Sequence, residues 1–285
     1  MRRGRRISLF SQSLFALPLD QAIQVTADLG FPAIELACAE PHFGLATACH
    51  HAESVAERVG LVGLAVSALS LFNDFTHASR LEEEVGAATV FIRLAPQFKT
   101  RLVKLTPGPP ASADADAEHW RCLEEAMERL VPVAEEVGVR LAFETHMRQL
   151  TDTLASSKWM LQIAPSDVIG LTMDFSNLAF AGESLSQAIS DLHGRIYNTH
   201  LKNGYVDAHG GWHFEALDEG LTDYSLVLRM LRDASYDGYL TIECLGCDAK
   251  ERPAETARRD LAILERRLAQ VGWESSREGG SSTTC

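Results

Sequence analysis

The sequence predicts a single-domain α/β fold, a (β/α)8 TIM barrel, and three observations carry that expectation. Short apolar, β-prone runs alternate eight times with helical segments; glycines stand where helices should stop; and several runs finish on a carboxylate or an imidazole. Regular alternation of strands and helices implies a parallel sheet with right-handed crossovers, and eight units close it into a barrel. The 285 residues fit one barrel of roughly 250 residues with short tails.

In chain order, a basic tail over 1–5 precedes a barrel over 6–271 that opens on a strand at 7–10. A helix follows from Pro18 to Gly30, with proline in its first turn and glycine past its end. Strand 33–36, helix 47–59 stopping at Gly60, strand 62–69 and helix 79–97 come next; in the last of these Leu81, Val85, Ala88 and Ile92 recur at helical spacing. After strand 102–105, the prolines and small residues of 106–117 predict a long loop. Helix 118–137 contains Pro132, which should kink it. Strand 139–144, helix 153–163, strand 168–174, helix 185–192 and strand 195–200 lead to a second expected long loop, 203–220. Helix 222–234, strand 239–243 and helix 254–271 complete the barrel, and the Gly/Ser-rich tail 272–285 is expected to be disordered.

Composition removes several functional classes. A formal net charge of −13 speaks against a nucleic-acid partner, which asks for a basic face. No run approaches the ~18 apolar residues of a membrane span. Arg2, Arg3, Arg5 and Arg6 ahead of an apolar stretch faintly resemble a leader, but Ser8, Ser11, Gln12 and Ser13 interrupt it, so a barrel strand is expected there. Six cysteines show no disulfide-scaffold spacing, Cys244 and Cys247 form a lone CxxC, and a reduced cytoplasmic location is expected.

In a parallel barrel every strand opens its C-terminal end on one face. The runs 139–144, 168–174, 195–200 and 239–243 end on Glu144, Asp174, His200 and Glu243. Three carboxylates and one imidazole in one mouth suit a divalent cation of intermediate hardness. Such a site can polarise a carbonyl and stabilise an enediolate, with Glu144 and Glu243 trading the proton of the neighbouring carbon. His146, two residues beyond Glu144, could act as base or acid, and Lys202 could stabilise an oxyanion. Substrate contacts are expected from Glu35, His42, Lys104, Asn177, His209 and Trp212; the last two lie in a Gly-rich loop with His213 and Phe214.

The stretches Gly30-Phe-Pro-Ala-Ile-Glu-Leu36, Glu144-Thr-His146, Asp174-Phe-Ser-Asn177, His200-Leu-Lys202, Gly220-Leu-Thr-Asp223 and Tyr236-Asp-Gly-Tyr-Leu-Thr-Ile-Glu243 resemble the xylose-isomerase-like TIM-barrel superfamily of sugar isomerases and epimerases. The likeness spans about Arg6 to Val271. It implies that Glu144, Asp174, His200 and Glu243 hold one divalent ion, manganese before magnesium, cobalt or zinc, and that Glu144 and Glu243 are the acid/base pair of an epimerase. Two places depart from ketose 3-epimerases: Asn177 and Val206 stand where that branch carries histidine and arginine. Residues 144–153 with His200-Leu-Lys-Asn203 look instead like 3-dehydroshikimate dehydratases, in which the counterparts of His146 and Lys202 work beside the metal.

The expected function is a metal-dependent isomerase or epimerase of a keto-sugar or cyclitol. A lyase is the alternative, dehydrating a 3-dehydroshikimate-like keto-acid or cleaving a 3-keto-glycoside by elimination. An endonuclease IV-like nuclease is a minor alternative, opposed by the acidic charge. The expected partner is a small polyhydroxylated keto compound, with no nucleic acid and no membrane; self-association into a homo-oligomer stays open.

Overall fold

A computed structural model describes residues 6–273; the expected tail at 1–5, and the expected tail 272–285 from 274 onward, lie outside them. The chain runs β1 (Ile7–Phe10), α1 (Leu19–Asp28), β2 (Ala33–Ala37), α2 (Leu45–Leu61), β3 (Ala65–Ser70), α3 (Ala78–Leu94), β4 (Leu102–Leu105), α4 (Ala117–Val137) and β5 (Arg140–Glu144). It continues through α5 (Leu154–Ile163), β6 (Ile169–Asp174), α6 (Phe175–Phe180), α7 (Leu185–Leu192), β7 (Ile196–Leu201), β8 (Asn203–Val206), β9 (Trp212–Glu215), α8 (Tyr224–Asp233), β10 (Leu240–Ile242), α9 (Gly246–Glu251) and α10 (Pro253–Gln270). Eight strands close into a barrel in the order β1-β10-β7-β6-β5-β4-β3-β2, and every pair is parallel.

The strands are apolar because both their faces are covered, by the barrel interior and by the outer helices. All six residues of β6 are buried, as are all five of β2. Several helices are stopped or started by local chemistry. Asp116 caps α4 by accepting from the backbone N–H groups of Glu118 and His119, and Gly138, at φ +69°, turns the chain out of its far end. Ser184 and Asp223 cap α7 and α8 in the same manner. No helix among the described residues is long and apolar enough to cross a membrane.

Several elements differ from the sequence reading. Helix α2 runs through Gly60, and the turn falls instead at Gly63, φ +81°, so β3 begins at Ala65 rather than at residue 62. Helix α3 stops at Leu94 and passes into a 3-10 turn, Ala95–Phe98. The stretch 203–220, expected as irregular loop, contains an antiparallel hairpin in which Asn203 pairs with Glu215 and Val206 with Trp212. Short helices α6 and α9 occupy segments that carry too little periodicity to announce them.

Candidate active site

The barrel brings β5, β6, β7 and β10 together as consecutive staves, and the expected ligands stand at their C-terminal ends. Glu144 and Asp174 are the last residues of β5 and β6, His200 is next to last in β7, and Glu243 directly follows β10. Parallel registry aligns Asp174 with His200, and His200 with Thr241 two residues before Glu243. One donor atom from each of the four lies within 4.8 Å of the others, and all four residues are buried.

His200 is oriented from behind. Its Nε2 lies 2.9 Å from Glu35 Oε1, and Glu35 Oε2 accepts from Asn198 Nδ2 at 2.9 Å. Asn198 and His200 are two apart on one strand and so face the same side. That arrangement turns Nδ1 toward Glu144 Oε1 at 3.4 Å and Glu243 Oε2 at 3.7 Å, where it has no hydrogen-bond partner. A buried polar atom without a partner asks for an explanation. A carboxylate holding one ring nitrogen while the other points into an oxygen-rich nest is the arrangement that fixes a metal-binding imidazole. Three hard carboxylates plus that nitrogen fit a divalent cation such as Mn²⁺, Mg²⁺, Co²⁺ or Zn²⁺.

Two buried lysines complete the floor. Lys104 Nζ lies 2.6 Å from Glu144 Oε2, donates to Leu71 O at 3.3 Å, and sits 4.8 Å from the centre of the Phe72 ring. Lys202 Nζ lies 2.7 Å from Asp174 Oδ2 and 2.8 Å from Glu243 Oε2, with the Phe214 ring 5.9 Å away. The titration properties follow from this packing. Burial pushes the Glu144 carboxyl up, but Lys104 and His200 outweigh it and hold it well below the usual range. Asp174 is pushed up, by burial and by the neighbouring Glu243 and Glu144 carboxylates. Burial opposes the His200 imidazolium, yet Glu35 and Glu144 raise it to about 10. Lys202 is likewise raised against burial by Asp174 and Glu243.

The remaining candidates divide. His146 is half-buried, its Nδ1 2.9 Å from Met147 O, and among the described residues its Nε2 has no hydrogen-bond partner. Glu35 belongs to the floor, through His200. Asn177 donates its backbone N–H to Asp174 Oδ1 and its Nδ2 to Thr145 O, while its buried Oδ1 is unpartnered. Trp212 stands on the hairpin with the Arg148 guanidinium 4.4 Å from its ring centre. His209 is exposed at the hairpin turn. His42 is not brought to the mouth by its ring: Nδ1 meets Ser11 Oγ at 3.1 Å and Nε2 meets Leu17 O at 3.0 Å, a buried, satisfied imidazole edge-on to Phe15. Asn198, Thr145 and Arg148 were not among the expected site residues. Period-two spacing from His200 was the one signal that could have pointed to Asn198.

A sequence model of the xylose isomerase-like TIM barrel matches residues 23–267, and the chain belongs to that family. The particular relatives are distant. An inosose dehydratase of Clostridium perfringens is 23% identical over 164 residues, covering 53% of this chain and 54% of that protein. The chain thus spans about half the length of the inosose dehydratases it matches. A 3-dehydroshikimate dehydratase of Bacillus anthracis is 22% identical over 222 residues, covering 73% of this chain and 77% of that protein. The solved structure of an L-ribulose 3-epimerase shares the fold with a TM-score of 0.74 at 20% identity, covering 96% of this chain and 99% of that one. Dehydratases thus stand among its sequence relatives, and an epimerase shares its fold.

Proposed function

We propose that the chain is a divalent-metal-dependent lyase that removes water from a polyhydroxylated cyclic ketone, by taking the proton beside the carbonyl and expelling a hydroxyl from the next carbon. The observation that carries this reading is the pair of unlike groups at the mouth: the Lys202 ammonium set between Asp174 and Glu243, and the His146 ring with Nε2 free. An elimination needs one group to accept a proton and a different one to deliver it. Epimerisation asks for two matched groups on opposite faces of one carbon. The matched pair here, Glu144 and Glu243, is engaged by Lys104 at 2.6 Å and Lys202 at 2.8 Å, and both carboxylates belong to the four-donor cluster.

The ion, held by Glu144, Asp174, His200 and Glu243, would supply Lewis-acid polarisation of the substrate carbonyl, with manganese the first to try. His146 Nε2 takes the proton from the carbon beside the carbonyl, and the electron pair moves onto the carbonyl oxygen as an enolate. That pair returns to form the carbon–carbon double bond as the neighbouring carbon–oxygen bond breaks. Lys202 Nζ gives its proton to the departing hydroxyl, which leaves as water, and solvent carries the proton from His146 back to Lys202. Both dehydratases named above support the reading, since each acts, by name, on a ring ketone or its relative.

The second reading, proton exchange at one carbon by Glu144 and Glu243, is favoured by their convergence on His200 Nδ1 from two strands. Incubation of the manganese-loaded chain with inosose and with 3-dehydroshikimate in D₂O separates the two. Growth of ultraviolet absorbance from a conjugated product, with loss of water by mass, is the outcome expected here. Deuterium uptake into substrate of unchanged formula, with no conjugated product from any ring ketone, would replace elimination by epimerisation.

A further inference from the structure

We infer that Arg148 is an anion-binding residue at the rim of the site, and that the substrate is a ring ketone bearing a carboxylate rather than a neutral cyclitol. This inference rests on the cyclic-ketone reading above and narrows it.

Topology places Arg148. The loop leaving β5 and the hairpin leaving β7 stand on either side of β6, whose end carries Asp174. Along β9 the exposure alternates, with Trp212 and Phe214 on the covered face and His213 and Glu215 on the open one. Phe214 approaches Lys202 Nζ on the floor at 5.9 Å, so its face of the hairpin looks into the site. Trp212 shares that face, and the Arg148 guanidinium lies 4.4 Å from its ring centre. The contact therefore spans the mouth above Asp174, two residues from His146 in sequence.

The loop holds Arg148 in place without neutralising it. Leu150 donates its N–H to Gly108 O at 3.1 Å, Gly108 donates to Gln149 Oε1 at 3.1 Å, and Thr151 Oγ1 donates to Glu144 O. Between these anchors Arg148 sits at φ +58°, in the left-handed region that costs a non-glycine residue about 1 kcal/mol or more. Among the described residues no carboxylate pairs with its guanidinium; the Trp212 ring is its neighbour. A guanidinium stacked on an aromatic face keeps its edge of N–H donors free, and that edge matches a carboxylate.

The floor itself offers no site for an anion. The buried carboxylates of Glu35, Glu144, Asp174 and Glu243 face the buried ammoniums of Lys104 and Lys202, and one divalent cation would bring the set to neutrality. The floor then has no charge left over for an anionic substrate group. Arg148 supplies the missing positive charge at the rim.

The test is calorimetric titration of the manganese-loaded chain with shikimate, a ring acid, and with myo-inositol, a neutral ring polyol, in wild type, Arg148→Met and Arg148→Lys. Wild type should prefer shikimate. Arg148→Met should weaken shikimate about 10- to 100-fold, the loss of one charged hydrogen-bonded contact, while leaving myo-inositol unchanged; Arg148→Lys should fall between. Manganese content measured in the same samples separates this inference from the metal reading, since Arg148 is not among the metal-facing groups. Equal binding of shikimate by wild type and Arg148→Met would overturn the inference. So would a proportional loss of both ligands, which would make Arg148 only a tether for the hairpin, or a wild type that holds shikimate no better than myo-inositol.

Discussion

The two buried lysines look alike and are placed differently. Lys104 faces one carboxylate, Glu144, and spends its remaining donors and charge on Leu71 O and the Phe72 and Phe10 rings. Lys202 is shared by two carboxylates, Asp174 and Glu243, with the Phe214 ring 5.9 Å away. The carboxyls register the difference. Glu144 is held well below its ordinary range, whereas Asp174 is pushed above it by burial and by the crowding of Glu243 and Glu144. One lysine balances a charge; the other sits where carboxylates outnumber it and where a reacting molecule would arrive. The first is placed as a structural counter-ion; the second is the proposed proton donor.

The largest effect that would sharpen this contrast is on turnover. Lys202→Met should lower the rate of dehydration about 10²- to 10⁴-fold while manganese content stays near wild type. With His146 intact, that variant should still exchange the substrate's acidic hydrogen in D₂O. Dehydration persisting in Lys202→Met would erase the distinction between the two lysines. Lys104→Met should act on stability instead: removing one partner of a buried pair strands Glu144 and should cost the metal-free chain about 3–5 kcal/mol in urea unfolding. Added manganese should recover much of that loss, because it stabilises the same carboxylate.

A smaller effect is expected one layer further out. Glu35→Gln keeps the shape behind His200 but removes the charge, and should weaken manganese affinity about 10- to 100-fold by calorimetry. Affinity equal to wild type would mean that Glu35 does not orient the imidazole. The same contact gives the metal-free chain a pH signature. His200 is raised to about 10, above an unfolded value near 6.5. Its contribution to stability is therefore fully present below about pH 6.5 and is lost as pH rises through about 10. Urea midpoints in chelator at pH 6, 8 and 10 should decline, and His200→Asn should flatten that decline.

Most of the barrel is legible in the sequence because its strands are buried on both faces and its helices end at glycines and start at capping side chains, as at Asp116 and Gly138. The gathering of the four strand-end residues is legible for the same reason: a charged residue closing an apolar run, such as Asp174 after Ile169–Met173, has nowhere to point but the mouth. The hairpin is not. Its turn at Gly210 and Gly211 and its alternating exposure read as loop until Asn203 and Gly204 are seen to pair with Glu215 and Phe214. Nor could spacing foresee which polar groups would pair with which. His42 had the chemistry of a ligand contact and instead ties Ser11 to Leu17, while Asn198, 163 residues from Glu35, closes the carboxylate–imidazole relay. Long-range partners of this kind follow from closure of the barrel, which brings β2 and β7 across its interior.

The most direct measurement is the metal content of the purified chain after manganese loading and desalting, in wild type beside His200→Ala. About one ion per chain in wild type, lost in the variant with the fold retained by circular dichroism, is the result expected from a four-donor site whose imidazole points Nδ1 at its carboxylates. An ion-free wild type at neutral pH, or a variant that holds metal as well as wild type does, would contradict the account and leave the four strand-end residues as a buried charge network alone.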